Sequence, residues 1–256
     1  MSTATKAASV ATANRILAAL PEESLERLAP HLEPVSVALK EPIFEAREPV
    51  RHALLPLDCV LSFVTPIGPR DAVEIATVGN EGIAGLSAFL GTEWMPYRAF
   101  AQVPGQALRV GADVLAEQAA QDEDLSAVLK RYTQALLTQV AQSTACNSVH
   151  GVEERCARWL LMTHDRVGLA SQFPMTQEFL ATMLGVRRAT VTVAAGALQQ
   201  AGVIRYSRGK ITVVDRPGLE AASCECYATV REELDRLLPP FGAAKGHEVR
   251  GLAAAS

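Results

Sequence analysis

The spacing of apolar residues along the chain changes several times, and each change predicts a different element. In 14–32, Ile16, Leu17, Leu20, Leu25 and Leu28 recur at helical steps. Pro21, followed by Glu22 and Glu23, opens the second of two short helices there, because proline is preformed for a first helical turn and acids suit its positive end. From 35 to 110 the apolar runs shorten to strand length, at 35–39, 53–57, 60–64, 72–77, 98–103 and 107–110, separated by Gly, Pro, Asp and Asn. Short strands repeating about every 8–12 residues predict an antiparallel sandwich or barrel, here a small β-roll. Gly68, Gly79, Gly82, Gly85 and Gly91 supply its turns.

Between 113 and 150 there is neither Pro nor Gly, and Leu125, Leu129, Tyr132, Leu136 and Val140 recur at steps of three and four. This predicts one long amphipathic helix, or two nearly joined, with Asp113 as its N-cap. A helix of that length between two compact units predicts self-association along the apolar stripe; the alternative is that the stripe covers the β-roll of its own chain. Gly151 breaks the pattern, and 152–167 returns to helix with Trp159, Leu160 and Leu161 on one side.

Residues 176–214 read TQEFLATMLGVRRATVTVAAGALQQAGVIRYSRGKITVV. Thr176 is a candidate N-cap, the helix it opens runs to about Leu184, and a second runs from about Arg187 to Gln200 before Gly202. Two short helices crossing at a tight glycine turn form a helix-turn-helix, and the crossing demands particular side chains. Counted from Gln177, the fifth position is the small Ala181 and the ninth is Gly185, at the turn. The fourth, eighth, tenth and fifteenth are Leu180, Leu184, Val186 and Val191, all apolar. The strands 203–206 and 211–214, joined by Ser207, Arg208, Gly209 and Lys210, then read as a basic-tipped wing. A final helix is expected over 218–238, ended by Pro239 and Pro240, with flexible ends at 1–13 and 241–256.

Composition changes this picture at two points. The 256 residues carry a net charge of −4, which taken alone argues against a nucleic-acid partner. Divided by segment, residues 1–150 hold −6 and 151–256 hold +2. Within 176–216, Arg187, Arg188, Arg205, Arg208, Lys210 and Arg216 face only Glu178 and Asp215. A basic patch on an acidic protein is the footprint of a nucleic-acid-binding module. Arg187, Arg188, Thr190 and Thr192 lie on the exposed start of the second helix, where arginine pairs with guanine and threonine meets phosphate or a thymine methyl. With Thr176, Gln177, Arg205, Arg208 and Lys210 they form the predicted interface to double-stranded DNA, and Arg188 is preferred over Arg187 for reading bases.

The second point is cysteine. Cys59, Cys146, Cys156, Cys224 and Cys226 form neither a disulfide framework nor a CxxC pair. The CxC at Cys224 and Cys226 has no second pair of Cys or His ligands nearby in sequence, so no metal is expected and the thiols read as buried bystanders in a reducing cytoplasm.

The chain resembles the Crp/Fnr family of bacterial transcription regulators, most specifically over 176–215 and more broadly from 16 to about 220. The resemblance implies a cyclic-nucleotide-binding-like β-roll over 14–112, a dimerisation helix over 113–150, a winged helix-turn-helix over 151–220 and a further helix and tail over 221–256. It implies an α+β homodimer with one recognition helix per major-groove half-site, with RNA polymerase and a small-molecule effector as further candidate partners. Arg188 falls where the family commonly contacts bases, while two other contact positions are Ala189 and Val193, so a different DNA target is expected. In cyclic-nucleotide-binding relatives a cassette runs from a Gly-Glu pair to an Arg-Ser or Arg-Thr pair. Here it reads EGIAGLSAFLGTEWMPYRAF, residues 81–100. Gly82, Ile83, Ala84, Gly85, Leu86, Arg98 and Ala99 are the candidate, degenerate effector pocket. Ala84 and Gly85 replace the Gly-Glu pair and Ala99 replaces the hydroxyl residue, so cyclic AMP is not expected to bind.

Two other function classes are weaker. No histidine among His31, His52, His150, His164 and His247 stands beside a nucleophile or ligand set, and no GxxxxGK[ST] loop is present, so the chain does not read as an enzyme. A protein-interaction scaffold with a silent winged helix is the alternative, opposed by the intact basic patch. No apolar run reaches the roughly 18 residues of a membrane-spanning helix.

Overall fold

The computed structural model describes residues 13–67, 71–167 and 172–238. Two short helices, α1 (Arg15–Ala18) and α2 (Glu22–Leu28), lead into seven strands: β1 (Glu33–Val37), β2 (Pro42–Phe44), β3 (His52–Pro56), β4 (Val60–Ile67), β5 (Asp71–Val78), β6 (Arg98–Val103) and β7 (Gly105–Gly111). All pair antiparallel, in a three-stranded sheet ordered β1-β7-β3 and a four-stranded one ordered β2-β6-β4-β5. Phe63, Leu55, Leu61, Ile83 and Leu108 fill the β-roll core. The short edge strand β2 was not legible as an apolar run, since Pro42 opens it and it is only three residues long.

The helical predictions need three corrections. Asp113 does not cap the long helix: α3 (Ala112–Gln121) begins after Gly111, and Asp113 lies inside its first turn. The chain then breaks at Asp122, whose carboxylate accepts from the Asp124 and Leu125 amides and so caps the true long helix, α4 (Glu123–Val149). Leu125, Leu129 and Tyr132 are buried in the β-roll core, and Leu136 and Val140 pack half-buried against it. That stripe therefore serves this chain's own core, because a sheet face within reach satisfies it without a second molecule. The carboxy-terminal segment is two helices, α8 (Arg216–Ala221) and α9 (Cys226–Leu237), because Ala222 and Ser223 end the first turn set before Cys224. Helix α9 leans on α4 and reaches back to the start of the chain. There the Arg15 guanidinium donates to Asp235 at 2.9 Å and to the Leu238 carbonyl.

Helix α5 (Val152–Arg166) follows Gly151 and begins the carboxy-terminal half, which continues through β8 (Gln172–Pro174), α6 (Gln177–Leu184), α7 (Arg188–Gln200), β9 (Ile204–Ser207) and β10 (Lys210–Val213). The outer face of the four-stranded sheet does not stay in solvent: Val60, Val64 and Val103 share one apolar cluster with Leu160, Leu161, Leu180 and Leu198. The ring of Phe179 meets that of Phe100 edge-on at 5.9 Å. The two halves are thus docked through a common core. No helix among the described residues is long and apolar enough to cross a membrane. Of the leader expected over 1–13, residues 1–12 lie outside the described residues, as does the whole tail expected over 241–256.

Candidate nucleic-acid interface

The Thr176 hydroxyl accepts the Phe179 amide at 3.1 Å and starts α6. Helix α6 stops at Gly185, whose φ of 64° lies in the left-handed region that glycine enters without a Cβ clash. A Cβ added there would also come within 3.3 Å of Val73 on the β-roll. The Val186 amide folds back onto the Ala181 carbonyl at 3.0 Å, and Arg187, extended, delivers the chain into α7. Leu180, Ala181, Leu184 and Val191 are buried at the crossing, as the spacing predicted.

Helix α7 buries Val191, Ala194, Ala195 and Leu198, which leaves Arg187, Arg188, Ala189, Thr190, Thr192 and Val193 on its exposed face. Val193 is 74% exposed, a large apolar side chain with nothing of its own chain to cover it. The Thr192 hydroxyl lies 3.0 Å from both Gln177 Oε1 and the Arg188 carbonyl, either of which accepts its proton. Thr176 thus caps α6 and the Thr192–Gln177 contact bridges the two helices, while the side chains of Arg187, Arg188 and Thr190 are exposed and make no hydrogen bond or ion pair among the described residues. The α7 amino terminus, with its unpaired amides, adds positive potential beside the two arginines.

The wing forms as predicted, with a third strand, β8, beside it. Arg208 (φ 51°) and Gly209 (φ 73°) make the two-residue hairpin turn between paired Ser207 and Lys210. Gln199 Oε1 accepts the Tyr206 amide at 2.9 Å and ties the wing to α7. Arg205, Arg208 and Lys210 are exposed on it. Arg216 belongs elsewhere: its guanidinium pairs with Asp165 at 2.6 Å and Glu220 at 2.9 Å, so it does not contribute free charge to this face.

The predicted effector residues do not converge. Ile83, Ala84 and Leu86 are buried in the β-roll core, and Ala84 pairs with Leu54. A Cβ on Gly82 would lie 2.3–2.5 Å from Tyr132 ring atoms and hydroxyl, so α4 presses directly on that turn. Arg98 is exposed and lies over the Phe100 ring at 5.5 Å, turned to the outer face of β6, while its neighbour Ala99 is buried. Strand alternation explains this, since residues 98 and 99 must point to opposite faces.

Sequence separation hid one constellation altogether. Cys146 and His150 stand one turn apart at the end of α4, and the fold brings Cys224 and Cys226 to them: the four candidate ligand atoms lie within 4.8 Å of one another. The signal available in sequence was Cys-x3-His on a helix, which places both side chains on one face.

Residues 154–222 match the family of Crp-like helix-turn-helix domains. No curated protein matches the chain by sequence. In fold it is similar to FixK2 from Bradyrhizobium japonicum, at 18% identity and a TM-score of 0.65 over 75% of this chain and 98% of that one. It is similar too to TTHB099, a transcriptional regulator of the CRP family from Thermus thermophilus, at 20% identity and a TM-score of 0.62 over 74% of this chain and 96% of that one. The c-di-GMP-responsive global regulator CLP of Xanthomonas campestris aligns at 12% identity and a TM-score of 0.58 over 75% and 99%.

Proposed function

We propose that this chain, a Crp-like helix-turn-helix domain on the Crp/Fnr fold, is a dimeric transcription regulator that binds double-stranded DNA and catalyses no reaction. The observation that carries this reading is the exposed face of α7, where Arg187, Arg188, Ala189, Thr190 and Val193 stand beside the wing cations Arg208 and Lys210. Arg188 reads a guanine edge, and Val193 offers an apolar surface for a thymine methyl. Arg205, Arg208 and Lys210 contact phosphates and fix the register. RNA polymerase is a further candidate partner.

The test is fluorescence anisotropy against a selected palindromic site over a series of salt concentrations. Arg188→Ala is expected to lose roughly 1–3 kcal/mol at particular base pairs and to relax discrimination there. Arg208→Ala is expected to weaken all sequences alike and to lower the salt slope by about 1. If wild-type protein shows no salt-dependent binding to any fragment of a genomic library, the module is a scaffold instead.

The dimer is read from a face different from the one the apolar stripe suggested. Ala127, Lys130, Gln134, Leu137, Ala141, Thr144 and Ser148 alternate by three and four along the outer side of α4, the 3.5-residue repeat of paired helices. Leu137 is 61% exposed there, and Ala141, Thr144 and Ser148 are small enough for close helix approach. Leu137→Glu is expected to halve the mass seen by light scattering without changing the helical circular-dichroism signal. A persisting dimer would place the contact elsewhere.

A cyclic nucleotide has no evident seat behind residues 82–86, since Tyr132 occupies that space and Arg98 faces away. The β-roll on this reading supports the dimer helix and the docked domain, and cyclic AMP is not its effector.

A further inference from the structure

We infer that Cys146, His150, Cys224 and Cys226 form a binding site for a single thiolate-preferring divalent ion of the zinc class. The geometry suits one ion. Cys146 Sγ lies 3.5 Å from Cys224 Sγ, and Cys226 Sγ lies 3.5 Å from His150 Nδ1. A tetrahedral zinc with bonds of about 2.3 Å to sulfur and 2.0–2.1 Å to nitrogen holds its donors roughly 3.4–3.8 Å apart. The four atoms, all within 4.8 Å of one another, thus surround one ion after shifts of about an ångström. An iron–sulfur cluster interposes several atoms between its ligands and would need them spread wider.

The surroundings of the four residues are those of a ligand set. His150 turns Nδ1 to the thiols and Nε2 to the Glu225 carboxylate, 3.3 Å away. A ligating imidazole is oriented in this way, by a carboxylate on its far nitrogen. Gln142 Nε2 donates to Cys226 Sγ at 3.1 Å, a hydrogen bond that stabilises a thiolate more than a thiol.

Charge supplies a separate argument. Arg155 and Arg158 are 8% and 5% exposed, and among the described residues neither forms an ion pair within 4 Å, Glu74 acting on Arg158 only at longer range. The Nε of each is buried without a hydrogen-bond partner. Both guanidiniums lie close enough to interact electrostatically with the thiols. Without metal, three thiols and a neutral imidazole offer these two buried cations no counter-charge. A divalent ion displaces three thiol protons and leaves three thiolates, one dication and a neutral imidazole. The resulting net charge of −1 answers the arginines.

The place of the cluster gives the ion a role. Cys146 and His150 end α4 where Gly151 turns the chain into α5, and Cys224 and Cys226 join α8 to α9. A bound ion ties the carboxy-terminal helices to the joint between the two halves. This inference does not depend on DNA recognition.

The experiment uses the full chain purified under reductant from zinc-supplemented medium. Elemental analysis is expected to find about one zinc per chain. Replacement by cobalt(II) is expected to give the intense visible bands of a tetrahedral site and near-ultraviolet thiolate charge transfer. Cys224→Ser and His150→Ala are expected to weaken zinc binding at least about tenfold, while Cys156→Ala, outside the cluster, keeps it. Because a variant can fail to fold, wild-type cobalt spectra decide independently. Wild-type chain that takes up neither zinc nor cobalt after reconstitution overturns the inference. So does iron with sulfide in place of zinc, or full zinc in folded Cys224→Ser.

Discussion

Arg166→Met is expected to remove about 3–5 kcal/mol of stability, the largest single loss among these variants. Arg166 ends α5, and its guanidinium donates to Glu81 at 2.8 Å, to the Met162 carbonyl at 2.6 Å and to Gln139 Oε1 at 3.1 Å. Both charged side chains are 6% exposed. Glu81 also accepts the Gly79 amide at 3.1 Å, and Gln139 donates to the Thr77 carbonyl at 3.0 Å. One guanidinium therefore joins the turn after β5, the middle of α4 and the end of α5. Removing it strands a buried carboxylate and the Gln139 oxygen, neither of which water can reach cheaply. The pair itself is a different matter, because two desolvated charges and two apolar residues of similar volume are often near parity. Arg166→Met with Glu81→Met is accordingly expected to recover much of the loss. Urea unfolding followed by circular dichroism, run as a double-mutant cycle, measures this. Equal losses in single and double variants would mean that packing, not charge, holds the joint.

The same joint shows why local patterns in this chain carried more information than distant ones. The helix-turn-helix was readable because every constraint falls within fifteen residues: the small Ala181, the left-handed Gly185 and the apolar Leu180, Leu184 and Val191 each do at the crossing what their spacing implied. Short apolar runs between turn residues likewise marked six of the seven β-roll strands, missing only the three-residue edge β2. Helix α4 was readable as a helix but not as to partner. Its strongly apolar stripe turned inward, and the dimer face proposed above is a repeat of small and polar residues that apolar counting passes over. The effector residues were legible only through resemblance. Ala84, Gly85 and Ala99 stand where that resemblance has polar residues, and the close approach of Tyr132 to Gly82 had no counterpart in the local sequence pattern. The thiol cluster lies at the far limit, since Cys146 and Cys224 are 78 residues apart and only the return of α9 onto α4 brings them together.

Glu74→Gln is expected to raise stability above that of the wild type at pH 8 and to leave it nearly unchanged near pH 4.5. Glu74 reaches from β5 into the contact between the halves, where Trp159 Nε1 donates to its Oε1 at 2.6 Å. Its Oε2 lies 2.6 Å from the Ser62 hydroxyl, which lies 2.6 Å from Gln102 Oε1, while Gln102 Nε2 donates to Thr163 Oγ1 at 2.9 Å. The Ser62 hydroxyl has one proton for two short contacts with oxygen acceptors. The chain of hydrogen bonds closes when Glu74 is protonated and donates to Ser62, which then donates to Gln102. Burial drives the carboxyl the same way, up to about 7, against the opposing pull of Ser62, Trp159 and the guanidiniums of Arg158 and Arg166. A carboxyl raised in the folded state keeps its proton there while the unfolded chain has lost it. Stability from this group is thus full below the ordinary value near 4.5, falls as pH rises toward 7 and is flat above. The fall amounts to at most about 3 kcal/mol. Glutamine keeps the shape, cannot ionise, and can accept from Trp159 while donating to Ser62, so its variant lacks the decline. The difference between the two thermal-unfolding profiles across pH 4.5–8 isolates Glu74 from every other titrating group. Parallel profiles would show that the carboxylate is ionised throughout and that the contact between the halves holds a charge after all.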